Sequence, residues 1–364
     1  MKPHLWLVTG ALVLSLLVPG RVRAGESGAA RLVRAPAPPA EAEPLPPPAP
    51  VPVPVVNPEQ VYTYEQLSID LARLREQYPG LVQLRSLGRS AFGREIWALG
   101  LGTGPAPVLI NGAHHGSEWL TANLVAAMAD RYALAAATWQ TYEGVEVAAL
   151  LELATIWFVP MVNPDGVTLS QVGLSAFPSN AHADLIRMGG GSSDFTGWKA
   201  NGQGVDLNRQ YPADWAHIVA SPAAPAFSHF KGSAPLSAPE SGALYDFTLE
   251  LEPEVVAAYH SAGRVIYWHF HTAPENYERD LAIAEQLSAA TGYSLMPVEE
   301  NPSGGGYKDW FVQALGRPGF TLEIGVYTDG GPLPLSAFAE EWQRNNTVGL
   351  LLAQEAIRLR GRRE

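Results

Sequence analysis

The sequence predicts an α/β fold, a sheet covered by helices, over the roughly 300 residues that follow Pro58. Three observations lead there. Strand-like and helical segments alternate along this stretch. Several strands are short, unbroken apolar runs, the pattern of strands covered on both faces. Hydrophobic residues make up 47% of the 364-residue chain, enough for a large core and too many for general disorder.

In chain order, Thr63 or Ser68 can cap a first helix whose Leu67, Leu71, Leu74 and Tyr78 recur on one face. Leu81 to Gly88 and Arg94 to Gly100, joined through Ser90-Ala91-Phe92-Gly93, read as a hairpin. Ala106 to Gly112 reads as a buried central strand, with a helix following from Thr121 to Leu134. Ala154 to Val162 repeats the apolar strand ending in a polar loop, here Asn163-Pro164-Asp165-Gly166. The stretch from Leu169 to Lys231, rich in Gly, Ser and Asn, has little periodicity. Long irregular segments in compact domains are often binding loops, so it is assigned to the wall of a site. Val255 to Tyr259, Val265 to Trp268 and Phe320 to Glu323 read as further strands. Ser336 to Arg360 reads as a long closing helix with Ser336 as its N-cap.

The N-terminal region has a different character. Residues 1–24 read as an export signal: Lys2 is a short positive region, Leu5 to Val18 an apolar core, and Val22-Arg23-Ala24 a cleavage site before Gly25. The apolar run is short for a membrane span, although an uncleaved anchor is the alternative. A secreted or cell-envelope location follows, with no lasting membrane insertion once the signal is cut. Residues 25–57 read as a disordered Pro/Ala-rich linker. Eleven of the chain's 31 prolines fall between Pro36 and Pro58, a composition that favours an extended spacer and cannot pack a core. The folded domain then occupies 58–364, and a monomer is expected.

Composition narrows the chemistry. No cysteine is present, which excludes disulfides, thiol catalysis and thiolate metal sites; a metal must sit on His, Asp or Glu. The formal charge is −12, and losing Lys2, Arg21 and Arg23 with the signal takes it to −15. That argues against nucleic acid as a partner, which demands clustered positive charge.

His115, Glu118 and His260, with Glu323 much later, carry the chemistry. Two neutral imidazoles and a carboxylate can hold one zinc ion and leave a fourth position open for water. A separate glutamate can take a proton from that water. A lone His-x-x-Glu is weak in a chain with nine histidines. Here His115-Gly116-Ser117-Glu118 gains weight by standing just past a buried strand, beside small residues that let a metal approach. His114 is a local rival that lacks the three-residue step to Glu118. His260 follows the apolar run Val255 to Tyr259, and by itself reads more readily as a satisfied core histidine than as a ligand. His269 and His271, two apart on one strand face, form an alternative pair without an acid nearby.

Six successive marks resemble the zinc carboxypeptidase family, the group typified by pancreatic carboxypeptidase A. They are His115 to Trp119, Asn163-Pro164-Asp165-Gly166, Gly204-Val205-Asp206-Leu207-Asn208-Arg209, Tyr259-His260-Ser261, Asp309-Trp310 and Phe320-Thr321-Leu322-Glu323, in the family's order. The resemblance covers Tyr62 to the C-terminus. It implies a single domain with a mixed, mainly parallel central sheet flanked by helices on both faces, and a metallocarboxypeptidase-type zinc hydrolase. It implies His115, Glu118 and His260 as ligands of one zinc ion and Glu323 as general base. Asn208 and Arg209 would receive a substrate carboxylate, which an arginine fork suits bidentately. Asp206, otherwise a turn residue or cap, would accept the free N–H of the first histidine ligand and so fix its tautomer. Lys199 stands in the region where many members carry an arginine that stabilises the oxyanion; a solvated surface lysine is the plainer reading.

The segment Trp198-Lys199-Ala200-Asn201, with its flanking motifs, is similar to bacterial γ-D-glutamyl-diaminopimelate peptidases of this family, which trim peptidoglycan stem peptides. Departures from the digestive members are Ser117, Ala262 and, where the mobile tyrosine stands in those enzymes, roughly Asn301, with Tyr307 nearby. Lys308 precedes Asp309-Trp310 near the floor of the family's side-chain pocket. A buried cation there would favour an acidic side chain or the distal carboxylate of diaminopimelate; a lysine facing solvent would not. Three readings follow: a peptidase of cell-wall stem peptides, an exported carboxypeptidase of ordinary peptides, and an inactive wall-binding module. The intact ligand and base set argues against the last.

Overall fold

The computed structural model describes residues 52–328 and 330–363. The expected signal, and the linker up to residue 51, lie outside the described residues. Helix α1 (Tyr64–Gln77) begins at Thr63, whose hydroxyl accepts from the Gln66 N–H, so Thr63 rather than Ser68 is the cap. Its Leu67, Leu71, Leu74 and the following Tyr78 are all buried. Strands β1 (Val82–Arg89) and β2 (Glu95–Leu101) make the expected hairpin. Then come β3 (Ala106–Gly112), α2 (Leu120–Ala137), the small ribbon β4 (Thr141–Tyr142) and β5 (Val145–Glu146), α3 (Val147–Leu153) and β6 (Ala154–Val159). Helices α4 (Pro164–Val172), α5 (His182–Met188) and α6 (Pro239–Leu251) lead into β7 (Val255–Ser261) and β8 (Val265–Tyr267). The chain closes through α7 (Pro274–Thr291), β9 (Ser294–Leu295), α8 (Tyr307–Leu315), β10 (Gly319–Ile324), α9 (Phe338–Asn345) and α10 (Val348–Arg360).

Eight of these strands form one sheet in the order β1-β2-β6-β3-β7-β10-β8-β9. Its centre, β6-β3-β7-β10, is parallel, with antiparallel pairings at β1/β2, β2/β6 and β10/β8. The period-two alternation of a strand explains how both faces are covered. On β3 and β7, Val108, Ile110, Val255 and Ala257 pack into one core with α2 and α10 residues such as Val125 and Leu352. Leu109, Val256 and Ala258 pack into a second core with Leu244 and Phe247 of α6 and Phe311 of α8. The result is a single carboxypeptidase-like α/β domain, its mixed, mostly parallel sheet flanked by helices. Among the described residues no helix is long and apolar enough to cross a membrane.

Four local expectations need correction. Asn163-Pro164-Asp165-Gly166 starts α4 instead of forming a loop: Asn163 caps it by accepting from the Gly166 N–H at 2.8 Å. The closing helix is broken. Ser336 sits in a 3₁₀ turn (Leu335–Ala337), and α9 and α10 are separate because Tyr132 of α2 donates to the Asn346 carbonyl at 2.7 Å, at the junction between them. The end of the linker is packed: Val56 is buried, and the buried Asp130 carboxylate accepts the Val55 and Val56 N–H groups at 3.0–3.1 Å. β8 stops at Tyr267, so His269 and His271 lie beyond the strand.

Candidate active site

Parallel strands deliver the site. β3, β7 and β10 end on the same edge of the sheet, where open α/β sheets place their sites. Glu323 of β10 is registered directly beside His260 of β7. Just past β3, His115 precedes a 3₁₀ turn (Gly116–Glu118) that folds Glu118 back towards its own ring. That turn is clamped from outside. Asn163 donates through Nδ2 to the carbonyls of His114, Lys199 and Ala200, at 3.0, 3.2 and 3.0 Å. The Gly116 and Ser117 N–H groups donate to the Lys199 and Trp198 carbonyls at 3.0 and 2.7 Å. A Cβ on residue 116 would meet the Gly166 carbonyl oxygen at 2.3 Å, so only glycine allows this approach. The Asn-Pro motif therefore serves as a brace for the His-x-x-Glu turn, a role its turn-forming residues did not reveal.

Ligand atoms of His115, Glu118 and His260 all lie within 4.8 Å of one another. Both rings face the glutamate through Nδ1: His115 at 2.8 Å from Oε1 and His260 at 2.9 Å from Oε2. On its far side, His115 Nε2 pairs with Asp206 Oδ1 at 3.0 Å. A carboxylate on one nitrogen turns the lone pair of the other towards the cluster, which is what a metal ligand needs. The donor set, two imidazoles and a carboxylate, fits zinc. His114 stands apart. It stacks on His260 at 5.4 Å between centroids and pairs through Nε2 with the Tyr211 hydroxyl at 3.1 Å.

The charges are strongly coupled. Burial opposes the charge on His115, but Glu118 and Asp206 outweigh it and raise the ring to about 9. Burial likewise opposes ionisation of Asp206, yet His115 and Arg209 hold it well below the usual carboxylate range. Glu323 goes the other way. Burial first, and the nearby Glu118 carboxylate second, push it up to about 8 against the pull of His115 and Lys199. Perturbed carboxyls of opposite direction in one cleft mark a functional site.

A cavity of about 370 Å³ reaches this cluster at His115 and is lined also by Glu323, Lys199, Asn208, Arg209 and Lys308. Lys199 is partly buried and places Nζ 3.1 Å from Glu118 Oε1, so it is not a solvated surface lysine. Asn208 accepts the Tyr307 N–H through Oδ1 at 3.1 Å, leaving its NH₂ end as the donor to offer a ligand. Arg209 reaches Ser303 Oγ at 3.2 Å and lies 3.8 Å from Asp206. Lys308 is only 5% exposed, which rejects the solvent-facing alternative; it is also no free cation, because Asp309 Oδ1 stands 2.5 Å away. Tyr307 is fully buried with its hydroxyl 3.0 Å from that of Thr248, and so is no mobile cover.

His271 pairs with Asp214 at 2.9 Å while His269 lines the cavity, so they do not form a ligand pair. Tyr267, Thr321, Asp309 and His229 also line the cavity; Thr321 and Asp309 stood within the sequence marks without an assigned role, and Tyr267 and His229 were not singled out. Thr321 could have been found, since it lies two residues from Glu323 on the same strand face. His229 could not: it depends on a positive φ of 65° and on an N–H bond to Asp206 at 3.0 Å. The irregular stretch supplies part of the wall, as expected, through Lys199, Asp206, Asn208, Arg209 and His229. Elsewhere it packs a small core of its own around Phe177, Leu185 and Trp198.

A mostly parallel sheet whose strand ends gather two histidines and a glutamate beside a second, half-buried glutamate defines a zinc-dependent hydrolase. The zinc carboxypeptidase pattern matches residues 69–348, and the chain belongs to that family of zinc metallopeptidases. It is 37% identical over 302 residues to the γ-D-glutamyl-L-diamino acid endopeptidase 1 of Lysinibacillus sphaericus, covering 82% of this chain and 73% of that protein. Thrombin activatable fibrinolysis inhibitor shares the fold with a TM-score of 0.68 at 16% identity, over 83% of this chain and 75% of the other. Carboxypeptidase A from Helicoverpa armigera does so at 0.63 and 21%, over 85% and 76%.

Proposed function

We propose that the protein is an exported peptidase that hydrolyses the amide bond between γ-D-glutamate and a diamino acid in peptidoglycan stem peptides. The observation that carries this reading is the 37% identity to an enzyme named for that bond, in a chain that keeps the complete ligand and base set. Export rests on the composition of residues 1–24, and N-terminal sequencing of material from the medium or envelope should begin at Gly25. Recovery of the protein with intact Met1 from the cytoplasm alone would refute export.

His115, Glu118 and His260 would hold zinc, which when bound would supply Lewis-acid activation of a water molecule and of the scissile carbonyl. Glu323 takes the proton from the attacking water and returns it to the departing nitrogen as the C–N bond breaks. Lys199 offsets the charge that develops on the carbonyl oxygen. Arg209 and Asn208 hold a substrate carboxylate near the scissile bond and keep that bond in register with the base. Asp206 fixes the tautomer and aim of His115.

The test is incubation of purified protein with L-Ala-γ-D-Glu-diaminopimelate and with a hippuryl peptide, each with and without a chelator. Chelator-sensitive release of diaminopimelate is expected. Cleavage of the hippuryl peptide alone, or of neither, defeats the reading.

A further inference from the structure

We propose that Asn111 and His114 are positioning residues for His260, holding the proton on its Nε2 through an ordered buried water. The proposal is independent of the peptide cleaved and rests only on His115, Glu118 and His260 as the ligand set.

The two rings are held differently. His115 has the Asp206 carboxylate at its Nε2, 3.0 Å away. His260 likewise turns Nδ1 to Glu118, at 2.9 Å, but its Nε2 is buried and has no hydrogen-bond partner among the described residues. A neutral ring whose Nδ1 lone pair serves a metal carries its proton on Nε2, so that atom is a donor in need of an acceptor. Buried donors of this kind are answered by ordered water where no protein group reaches them.

Three more polar atoms share that condition: both ends of the Asn111 amide and Nδ1 of His114, in two fully buried residues. Asn111 pairs with Ala258 across the β3/β7 ladder, so its side chain leaves the sheet on the same face as His260, two residues further along β7. Strand geometry sets their Cα atoms about 8 Å apart, a span suited to an amide, an imidazole and one water between them. Apolar Leu109, Val159 and Ala258 surround Asn111 on that face, where packing alone gives no reason for an amide. His114 closes the other side, its ring stacked on His260 at 5.4 Å between centroids and 22° between planes. Its Nε2 faces the Tyr211 hydroxyl at 3.1 Å, and with the proton donated there its Nδ1 accepts. A water in this space accepts the His260 Nε2–H and donates to His114 Nδ1 and to Asn111 Oδ1, within the two to four bonds usual for a buried water. A neutral partner fixes the ring without adding a further charge to a site that already holds Glu118, Asp206 and Glu323.

Nuclear magnetic resonance of the zinc-loaded wild-type protein with isotope-labelled histidine tests this without a variant. His260 should appear as the Nε2–H tautomer, with a proton shielded from exchange and in contact with a bound water. A proton that exchanges as fast as that of an exposed imidazole overturns the proposal. Asn111→Leu should lower zinc affinity about tenfold or more in titration against a competing chelating dye. The melting temperature of its metal-free form should stay level or rise, because an apolar side chain of similar shape replaces a buried amide. An asparagine with only a structural role would give the reverse, a lower melting temperature and an unchanged affinity, and that result overturns the proposal. His114→Phe keeps the stack and loses Nδ1, so its affinity should fall in the same way. Asn111→Asp keeps the acceptor and should bind zinc at least as tightly as the wild type; a loss equal to that of Asn111→Leu overturns the assignment. None of these measurements uses a substrate, so they stand or fall separately from the proposed reaction.

Discussion

Nε2 of His115 lies 3.0 Å from Oδ1 of Asp206, 91 positions further along the chain. The same carboxylate accepts the backbone N–H groups of Asn208 and His229, at 3.1 and 3.0 Å, so it aims the histidine and anchors the segment that carries Asn208 and Arg209.

Asp206→Asn keeps the shape but weakens the hold on the His115 tautomer. Zinc affinity should fall about 10- to 100-fold, the usual effect of losing a partner of a metal-bound histidine. Zinc titration against a competing chelating dye measures this, and an unaltered affinity would show that Asp206 does not orient the ligand.

Glu323→Gln removes the proposed base without touching the ligand atoms. Turnover should fall about 10²- to 10⁴-fold, while zinc content by elemental analysis stays at one per chain. Near-normal turnover would be incompatible with the assigned role.

The pH profile carries the same assignment. Burial and the Glu118 carboxylate push Glu323 up to about 8. A divalent cation on Glu118 offsets that carboxylate's charge and so moves Glu323 downward. Because a base works only when ionised, kcat/KM should rise with pH through a limb lying below about 8 in the zinc-loaded enzyme. Measured profiles with an acid limb above that value would contradict the account.

Glu240 gives a stability test away from the metal. Burial pushes it up to about 7, although Asn201 Nδ2 and the Ala91 N–H donate to it at 2.9 and 3.2 Å. Its pKa is higher folded than unfolded, so the native state holds the proton more tightly. The resulting stability is complete below the ordinary glutamate pKa of about 4.3 and is lost as pH rises through the native value. Glu240→Gln should flatten this part of the pH dependence, shifting the wild-type-minus-variant difference by on the order of 3 kcal/mol between about pH 5 and 8. Urea midpoints at both ends read it directly. Parallel curves for the two proteins would show that Glu240 is not the titrating group.

Much of the sheet was legible because its signals are local. Ala106 to Ile110 of β3 is an unbroken apolar run, and the helix at Leu67, Leu71 and Leu74 repeats within each turn. Helix ends were harder. The α9/α10 break depends on the Tyr132–Asn346 contact across 214 positions, and the packed end of the linker on Asp130 meeting Val55 across 75. No short-range pattern carries either.

The site divides in the same way. By itself the sequence determined the kinds of donor available: with no cysteine, metal chemistry had to fall on His, Asp or Glu, the family resemblance singled out His115, Glu118 and His260, and a buried strand before each histidine placed it at a sheet edge. Only the tertiary structure decided which charges are free. Register set Glu323 beside His260, and packing closed Lys308 onto Asp309 and Asp206 onto His115. Side-chain type and short spacing are properties of the chain, whereas net charge and pKa in a cavity depend on which distant groups share its low dielectric.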